Sequence, residues 1–146
     1  MSKLVIRDDL INILQGFDHR FEEIERTIAK DRGWINVNTS GEIIFQNNWV
    51  NYGGSYQTAQ CARDFLGNVF IRGCIKNGVN GSTAFTLPNG YWPASTNIFL
   101  THSYNATSGS DWCRLVIQAD GQVKPITDYG LTEEVWINCS FKFGSI

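Results

Sequence analysis

The chain has 146 residues, the length of about one domain, which excludes a multidomain enzyme with separate cofactor and substrate lobes. Its 12 Lys+Arg against 14 Asp+Glu leave a formal net charge of -2, so no basic field exists to follow a phosphate backbone, and nucleic acid is not an expected partner. No long apolar run occurs, and Met1-Ser2-Lys3-Leu4-Val5-Ile6 is short and lacks a cleavage-site pattern; neither membrane insertion nor a signal peptide is expected, and the product is expected to be soluble and made in a cytoplasm.

Composition divides the chain. Residues 1–32 hold 13 of the charged side chains, one Gly and no Pro, Trp or Cys, whereas residues 33–146 hold 13 Gly, all 3 Pro, all 5 Trp and all 4 Cys. In the first segment Leu10, Leu14, Phe17, Phe21, Ile24 and Ile28 follow a 4-3-4-3-4 spacing, which keeps one apolar seam turned toward a partner helix. With Leu10 at d, Leu14, Phe21 and Ile28 are the a residues. Arg20 at g and Glu25 at the following e then have the spacing of an interchain ion pair in a parallel coil. Asp8 or Asp9 can cap the start and Gly33 marks the end. Bulky Phe with Ile at seam positions argues for three strands over two, so a parallel trimeric coiled coil is predicted over residues 1–32. Roughly 22 helical residues span only about 33 Å, a marginal coil that Gly16 weakens further, so the remainder of the chain is expected to share in trimer formation.

From Trp34 onward the apolar period changes to two, and short runs recur between Gly, Asn and Asp. Strands are predicted at 34–38, 42–46, 55–63, 68–76, 82–87, 97–103, 112–119, 122–126 and 134–143. Val69, Ile71, Gly73 and Ile75 alternate with Phe70, Arg72, Cys74 and Lys76; Val135, Ile137, Cys139, Phe141 and Phe143 alternate with Trp136, Asn138, Ser140 and Lys142. One face of each run should be buried. Asp120-Gly121 is a hairpin signal and Gly67-Asn68 a weaker one. The fold class expected is therefore mainly β: the helical stalk followed by a jelly-roll-like β-sandwich knob at residues 33–146.

Within that pattern stand Trp49-Val50-Asn51-Tyr52-Gly53-Gly54, Gly67-Asn68-Val69-Phe70-Ile71-Arg72-Gly73-Cys74-Ile75 with Gly78 after it, Thr86-Leu87-Pro88-Asn89-Gly90-Tyr91-Trp92-Pro93, and Asp120-Gly121-Gln122-Val123. In order and spacing these resemble the terminal head domain of bacteriophage tail-fibre and head-fibre proteins. The resemblance covers roughly residues 49–146. It implies a trimeric β-sandwich knob on a coiled-coil stalk, a place on the virion after assembly in the host cytoplasm, and a surface used to contact the host. The residue between the Tyr and the second Pro is often basic in such proteins; here it is Trp92. Independently of any family, Pro88 and Pro93 fix φ and Gly90 permits φ > 0, so this stretch should form a rigid corner presenting Tyr91 and Trp92.

Catalytic chemistry is poorly supplied. His19 falls on the outer side of the stalk and His102 at a strand end, so a His-based triad or a metal site with two His ligands is not expected, and no cofactor is. Cys61, Cys74, Cys113 and Cys139 have no C-x-x-C spacing and read as free thiols, with Cys74 and Cys139 acting as small buried hydrophobes. A glycosidase pair would have to come from Asp64, Asp111, Asp120, Asp128, Glu133 or Glu134, all in or beside expected turns. Four Asn-x-Ser/Thr sites read as chance matches.

The recognition candidate is the stretch His102–Trp112, expected to be a long loop rich in hydroxyls and amides. Tyr104 or Trp112 could stack on the apolar face of a sugar, with Asn105 and Asp111 hydrogen-bonding to its hydroxyls. The competing reading makes Trp112 the first core residue of the next strand. Tyr129, in the following loop, is a second candidate. Two functions fit: adsorption of a trimeric knob to host saccharide, with the amino-terminal segment joining other virion proteins, or a purely structural virion part such as a fibre cap, adaptor or capsid decoration. An enzyme acting on envelope polysaccharide is a third, needing a clustered acid pair.

Overall fold

The computed structural model describes residues 10–20, 33–39 and 41–144, and the chain divides into two units, Met1–Arg32 and Gly33–Ile146. In the first unit residues 10–20 are helical and every one is exposed. Leu10, Ile13, Leu14 and Phe17 recur at i, i+3, i+4 and i+7, so an exposed apolar stripe runs along one face. Phe21, Ile24 and Ile28, the remaining seam positions, lie outside the described residues, as does Glu25.

The described residues of the second unit form eleven strands: β1 (Ile35–Asn36), β2 (Val50–Asn51), β3 (Gln60–Arg63), β4 (Asn68–Arg72), β5 (Cys74–Lys76), β6 (Phe85–Thr86), β7 (Asn97–Asn105), β8 (Gly109–Ile117), β9 (Gln122–Thr127), β10 (Glu134–Trp136) and β11 (Cys139–Lys142). They form a four-stranded sheet in the order β1-β3-β4-β11 and a seven-stranded sheet in the order β2-β5-β10-β7-β8-β9-β6, with every pairing antiparallel. One core joins them. Cys61 and Ile71 of the smaller sheet and Ile75, Leu115, Ile117, Val123 and Val135 of the larger are buried in a single cluster with Trp49, Phe85 and Ile43. The mainly β, sandwich-like architecture expected from period-two alternation is the one observed.

Two predicted strands are each two strands in different sheets. The run 68–76 breaks at Gly73 into β4 and β5, and the run 134–143 breaks after Trp136 into β10 and β11. The breaks face each other: Ile137 N–H donates to Gly73 C=O at 3.1 Å, and Gly73 N–H donates to Asn138 Oδ1 at 2.9 Å. A two-stranded ribbon therefore turns a corner from one sheet into the other, a known way of closing a sandwich. Only Gly fits the inner corner. At φ 137° it lies so close to Ala59 that a Cβ would come within 2.6 Å of the Ala59 Cα.

Residues 42–46, predicted as a strand, are not one. Asn38 N–H donates to Ile43 C=O at 2.7 Å and Asn38 Oδ1 accepts from Phe45 N–H at 2.8 Å, so the backbone groups a ladder would use close a loop that plugs Ile43 into the core. The predicted strand 55–63 likewise starts only at Gln60, because Ala59 N–H is taken by Asn51 Oδ1 at 2.7 Å.

Candidate functional site

The hairpin β7-β8 dominates the larger sheet. Its register runs without a bulge from Asn97↔Ile117 to Asn105↔Gly109, leaving only Ala106, Thr107 and Ser108 as connection. The long loop expected over 102–112 is thus a correction: both strands continue to the tip. The tip is held by Asn105, whose Oδ1 accepts from Thr107 N–H at 3.0 Å and Ser108 N–H at 2.7 Å while its Nδ2 donates to Ser108 Oγ at 2.6 Å. Glu133 adds a bond from the next connection, its Oε2 accepting from Ala106 N–H at 2.8 Å.

Alternation along these strands sorts the candidate residues onto opposite faces. Thr101, Ser103, Cys113, Leu115 and Ile117 point inward and are buried; Ile98, Leu100, His102, Tyr104, Trp112 and Arg114 point outward and are exposed. Tyr104, 44 % exposed, lies across from Ser110 on one side and Glu134 on the other. Trp112 lies across from His102 and is 62 % exposed, so it is not the first core residue of β8. Tyr104 and Trp112 are diagonal neighbours on one face, roughly 7–8 Å apart at Cα by sheet geometry. Asn105 is 3 % exposed and spent on the turn. Asp111 pairs with Ser103 on the inward face, its Oδ1 accepting from Trp112 N–H at 2.8 Å. The structure brings Tyr104 and Trp112 together and does not bring Asn105 and Asp111 to them. Tyr129 stands apart in the β9-β10 connection, 68 % exposed.

The same outward face carries an aromatic cluster that sequence reading did not assemble. Tyr52 follows β2, Tyr56 lies in the next loop, and Trp136 ends β10. The Tyr52 and Tyr56 rings meet edge-on at 4.5 Å, and Tyr56 lies 5.6 Å from Trp136. Polar groups rim them. Trp136 Nε1–H donates to Glu134 Oε1 at 3.0 Å, and the Lys76 ammonium lies 5.0 Å from the Tyr52 ring centre. The Glu134 carboxylate, more than partial burial, pushes the Tyr56 phenol up from its ordinary pKa. Trp136 and Tyr52 each sat in a recognised run, but their meeting depends on the order β2-β5-β10, which alternation does not encode.

No family model and no curated protein matches the sequence. The fold has a counterpart among solved structures, the receptor binding protein (gp15) of Listeria phage PSA, with a TM-score of 0.59 over 91% of this chain and 79% of that chain at 11% identity. The chain has the fold of a phage receptor-binding protein.

In this fold the Leu87–Pro93 corner is a joint. Trp92 Nε1–H donates to Leu87 C=O at 2.8 Å, its indole leaves no room for a Cβ at Gly121, and Tyr91 and Trp92 are half-buried against the core instead of being presented outward. Arg63 braces the corner from the other sheet, donating to Gly90 C=O at 2.6 Å with its guanidinium 3.5 Å over the Phe143 ring. A cleft of about 340 Å³ beside it is lined by Trp92, Pro93, Ala94, Phe143 and Gly144. All four cysteines are free thiols, and burial pushes those of Cys61, Cys74 and Cys139 up to about 12, which removes them as nucleophiles. Five of the six candidate acids have local duties as well. Asp64 accepts from Leu66 N–H, Asn68 N–H and Asn68 Nδ2, Asp120 accepts from Gln122, and Glu133, Glu134 and Asp111 are engaged as above. Among the described residues no three His, Cys, Asp or Glu side chains gather around a metal-sized space.

Proposed function

We propose that the chain is a fibre or baseplate protein of a phage virion, assembled as a homotrimer through its amino-terminal helix, whose knob adsorbs to saccharide on the host surface. The observation that carries this reading is the outward sheet face, where Tyr104, Tyr56, Tyr52 and Trp136 combine ring surface with Glu134, Lys76 and Ser110 in a fold shared with a phage receptor-binding protein. Ring faces cover the apolar side of a sugar, and carboxylate, ammonium and hydroxyl groups meet its hydroxyls. The engagement of five of the six candidate acids in local bonds favours a binding module over an enzyme.

The helix supports the trimer by its exposed stripe of Leu10, Ile13, Leu14 and Phe17, which a copy of the same helix would cover. Three equivalent shallow sites suit avidity, because a second contact forms at the effective concentration set by the first. The test is adsorption of the full chain to intact cells and purified cell-wall glycan from a panel of bacteria. Tyr104→Ala and Trp136→Ala should each lower adsorption severalfold, and free component sugars should compete. Absence of adsorption to every strain would overturn the reading in favour of a structural virion part; release of reducing ends from the glycan would overturn it in favour of an enzyme.

A further inference from the structure

The rings of Tyr52, Tyr56 and Trp136 come from separate segments, and the backbone fixes where they meet. Ile75 points into the core, so alternation puts its neighbours Cys74 and Lys76 on the outward side of β5. Cys74 is nonetheless fully buried, and it lies outside the core cluster. It is covered by the loop after β2 and by Trp136, its partner across the strand pair. Tyr52 N–H donates to Cys74 C=O and Cys74 N–H donates to Gln57 C=O, each at 2.9 Å, which pins both ends of that loop to one residue of β5. The rings are therefore set against the sheet before any ligand arrives, at interplanar angles of 67° and 58° that turn different faces and edges outward. Rings fixed in this way cost a ligand little ordering entropy.

The charge at the centre of the cluster is negative. Glu134 lies across from Tyr104, accepts from Trp136 Nε1–H, and acts on the Tyr56 phenol through its charge. Its second oxygen takes no hydrogen bond among the described residues, and no ion pair there neutralises it, although one step along the β5-β10 register Lys76 is its cross-strand neighbour. The Lys76 ammonium stands instead 5.0 Å from the Tyr52 ring centre, within reach of cation–π attraction. One ring of the cluster thus already holds an alkylammonium.

We propose that Glu134 with Tyr56, Trp136 and Tyr104 receives a cation, an ammonium group carried by the host glycan as a free amino sugar or a quaternary ammonium substituent; the assignment rests on the saccharide reading above and names the class of saccharide. Ring faces attract an ammonium, and a carboxylate with an open oxygen supplies the counter-charge. The same carboxylate repels phosphate and carboxylate substituents. A neutral sugar would use Glu134 only as a hydrogen-bond acceptor, a role that Gln fills as well, so a Glu134→Gln variant separates the two classes.

The experiment follows the Trp136 indole N–H signal of the full chain by NMR, identified by its loss in Trp136→Phe. The probes are choline, its neutral isostere in which a quaternary carbon replaces the nitrogen, glucosamine and N-acetylglucosamine. Choline and glucosamine should shift the signal and bind about tenfold more tightly than their neutral counterparts, and Glu134→Gln, which keeps an acceptor for Trp136, should erase that preference. Lys76→Met, which removes a competing cation, should leave binding unchanged or strengthen it. Acetylating the amines of purified host glycan separates the two sources: lost adsorption assigns an amino sugar, and retained adsorption with competition by choline assigns a quaternary ammonium. No preference for the charged probes, or weaker binding in Lys76→Met with Glu134→Gln unaffected, would overturn the inference and leave adsorption to saccharide standing. Retained adsorption to the acetylated glycan without competition by choline would overturn it as well. Preference for the charged probes without adsorption to any strain would support the inference and count against the saccharide reading alone.

Discussion

Gly78 lies against the face of Trp49, and the pair offers a measurable test of the packing. Trp49 is fully buried, its Nε1–H donating to Ser82 Oγ at 3.2 Å. A Cβ on Gly78 would fall 1.9 Å from Trp49 Cδ2, 2.0 Å from Cε2 and 2.2 Å from Cγ. Ordinary carbon contacts are about 3.5–4.0 Å, so Gly78→Ala requires the ring or the backbone to retreat by about 1.5 Å or more. Overpacking of that kind costs about 1–3 kcal/mol and occasionally more; with three ring atoms in the way, about 3 kcal/mol is expected. Trp49→Leu deletes the fused-ring atoms and should cost somewhat less than the about 3–5 kcal/mol of full truncation. In that background the Gly78→Ala methyl enters freed space, and because Gly78 does not need a positive φ, the substitution should be near neutral. The assay is urea unfolding of the full chain followed by tryptophan emission at one protomer concentration, completed as a double-mutant cycle. A Gly78→Ala cost below about 1 kcal/mol, or an equal cost in both backgrounds, would refute the argument.

Three further outcomes are expected. Asn105→Ala removes the cap of the β7-β8 turn and should destabilise the knob by about 1–2 kcal/mol in the same urea assay, with host adsorption retained once the protein is folded, because the amide faces its own turn. The Asp64 carboxyl is held below its ordinary value, first by the Asn68 side chain and then by backbone N–H groups, so its contribution is present above the unfolded pKa of 3.8 and is lost as pH falls through the lower folded value. Asp64→Asn should therefore flatten the acid limb of a stability-against-pH profile while leaving its neutral slope unchanged. Ellman's reagent at pH near 8 should reach Cys61 and Cys74 in the native protein only as fast as it unfolds, since thiols pushed up to about 12 are almost wholly protonated there; immediate reaction of either would contradict their burial.

What the sequence made legible was the inner half of the sandwich. Val69, Ile71, Ile75, Val135 and Ile137 alternate as a buried face must, and each is buried. The sheet to which a residue belongs was not legible in that pattern. The inner faces of both sheets meet the same core, so the alternation passes through Gly73 and Ile137 unchanged while the ribbon crosses between layers. Residues 42–46 misled for a related reason: Ile43 and Phe45 do point inward, but the backbone closes on Asn38, and a side-chain hydrogen bond of that kind leaves no periodic trace. Within the candidate site, the hydroxyl-rich composition of 102–112 read as a loop although Thr101, Ser103 and Asn105 are the inward residues of a strand. Tyr52, Tyr56 and Trp136 come from three segments whose neighbourhood only the strand order creates.

The two faces of the larger sheet divide the protein's work. The inward face is saturated by the core, and no buried side-chain polar atom among the described residues lacks a hydrogen-bond partner. Folding alone therefore places no demand on the outward residues of β7 and β8, and water would favour polar ones there. Ile98, Leu100 and Trp112 nonetheless stand in those positions, beside a separate zone of rimmed aromatic rings, so one sheet face carries an apolar and a polar-aromatic surface side by side. The hairpin serves both because its nine-residue strands are long enough to carry Tyr104 near the tip and Ile98 near the base, with Trp112 at the boundary. A substitution at Tyr104 should then lower adsorption and leave the fold intact, since the residue lies on the outward face of β7.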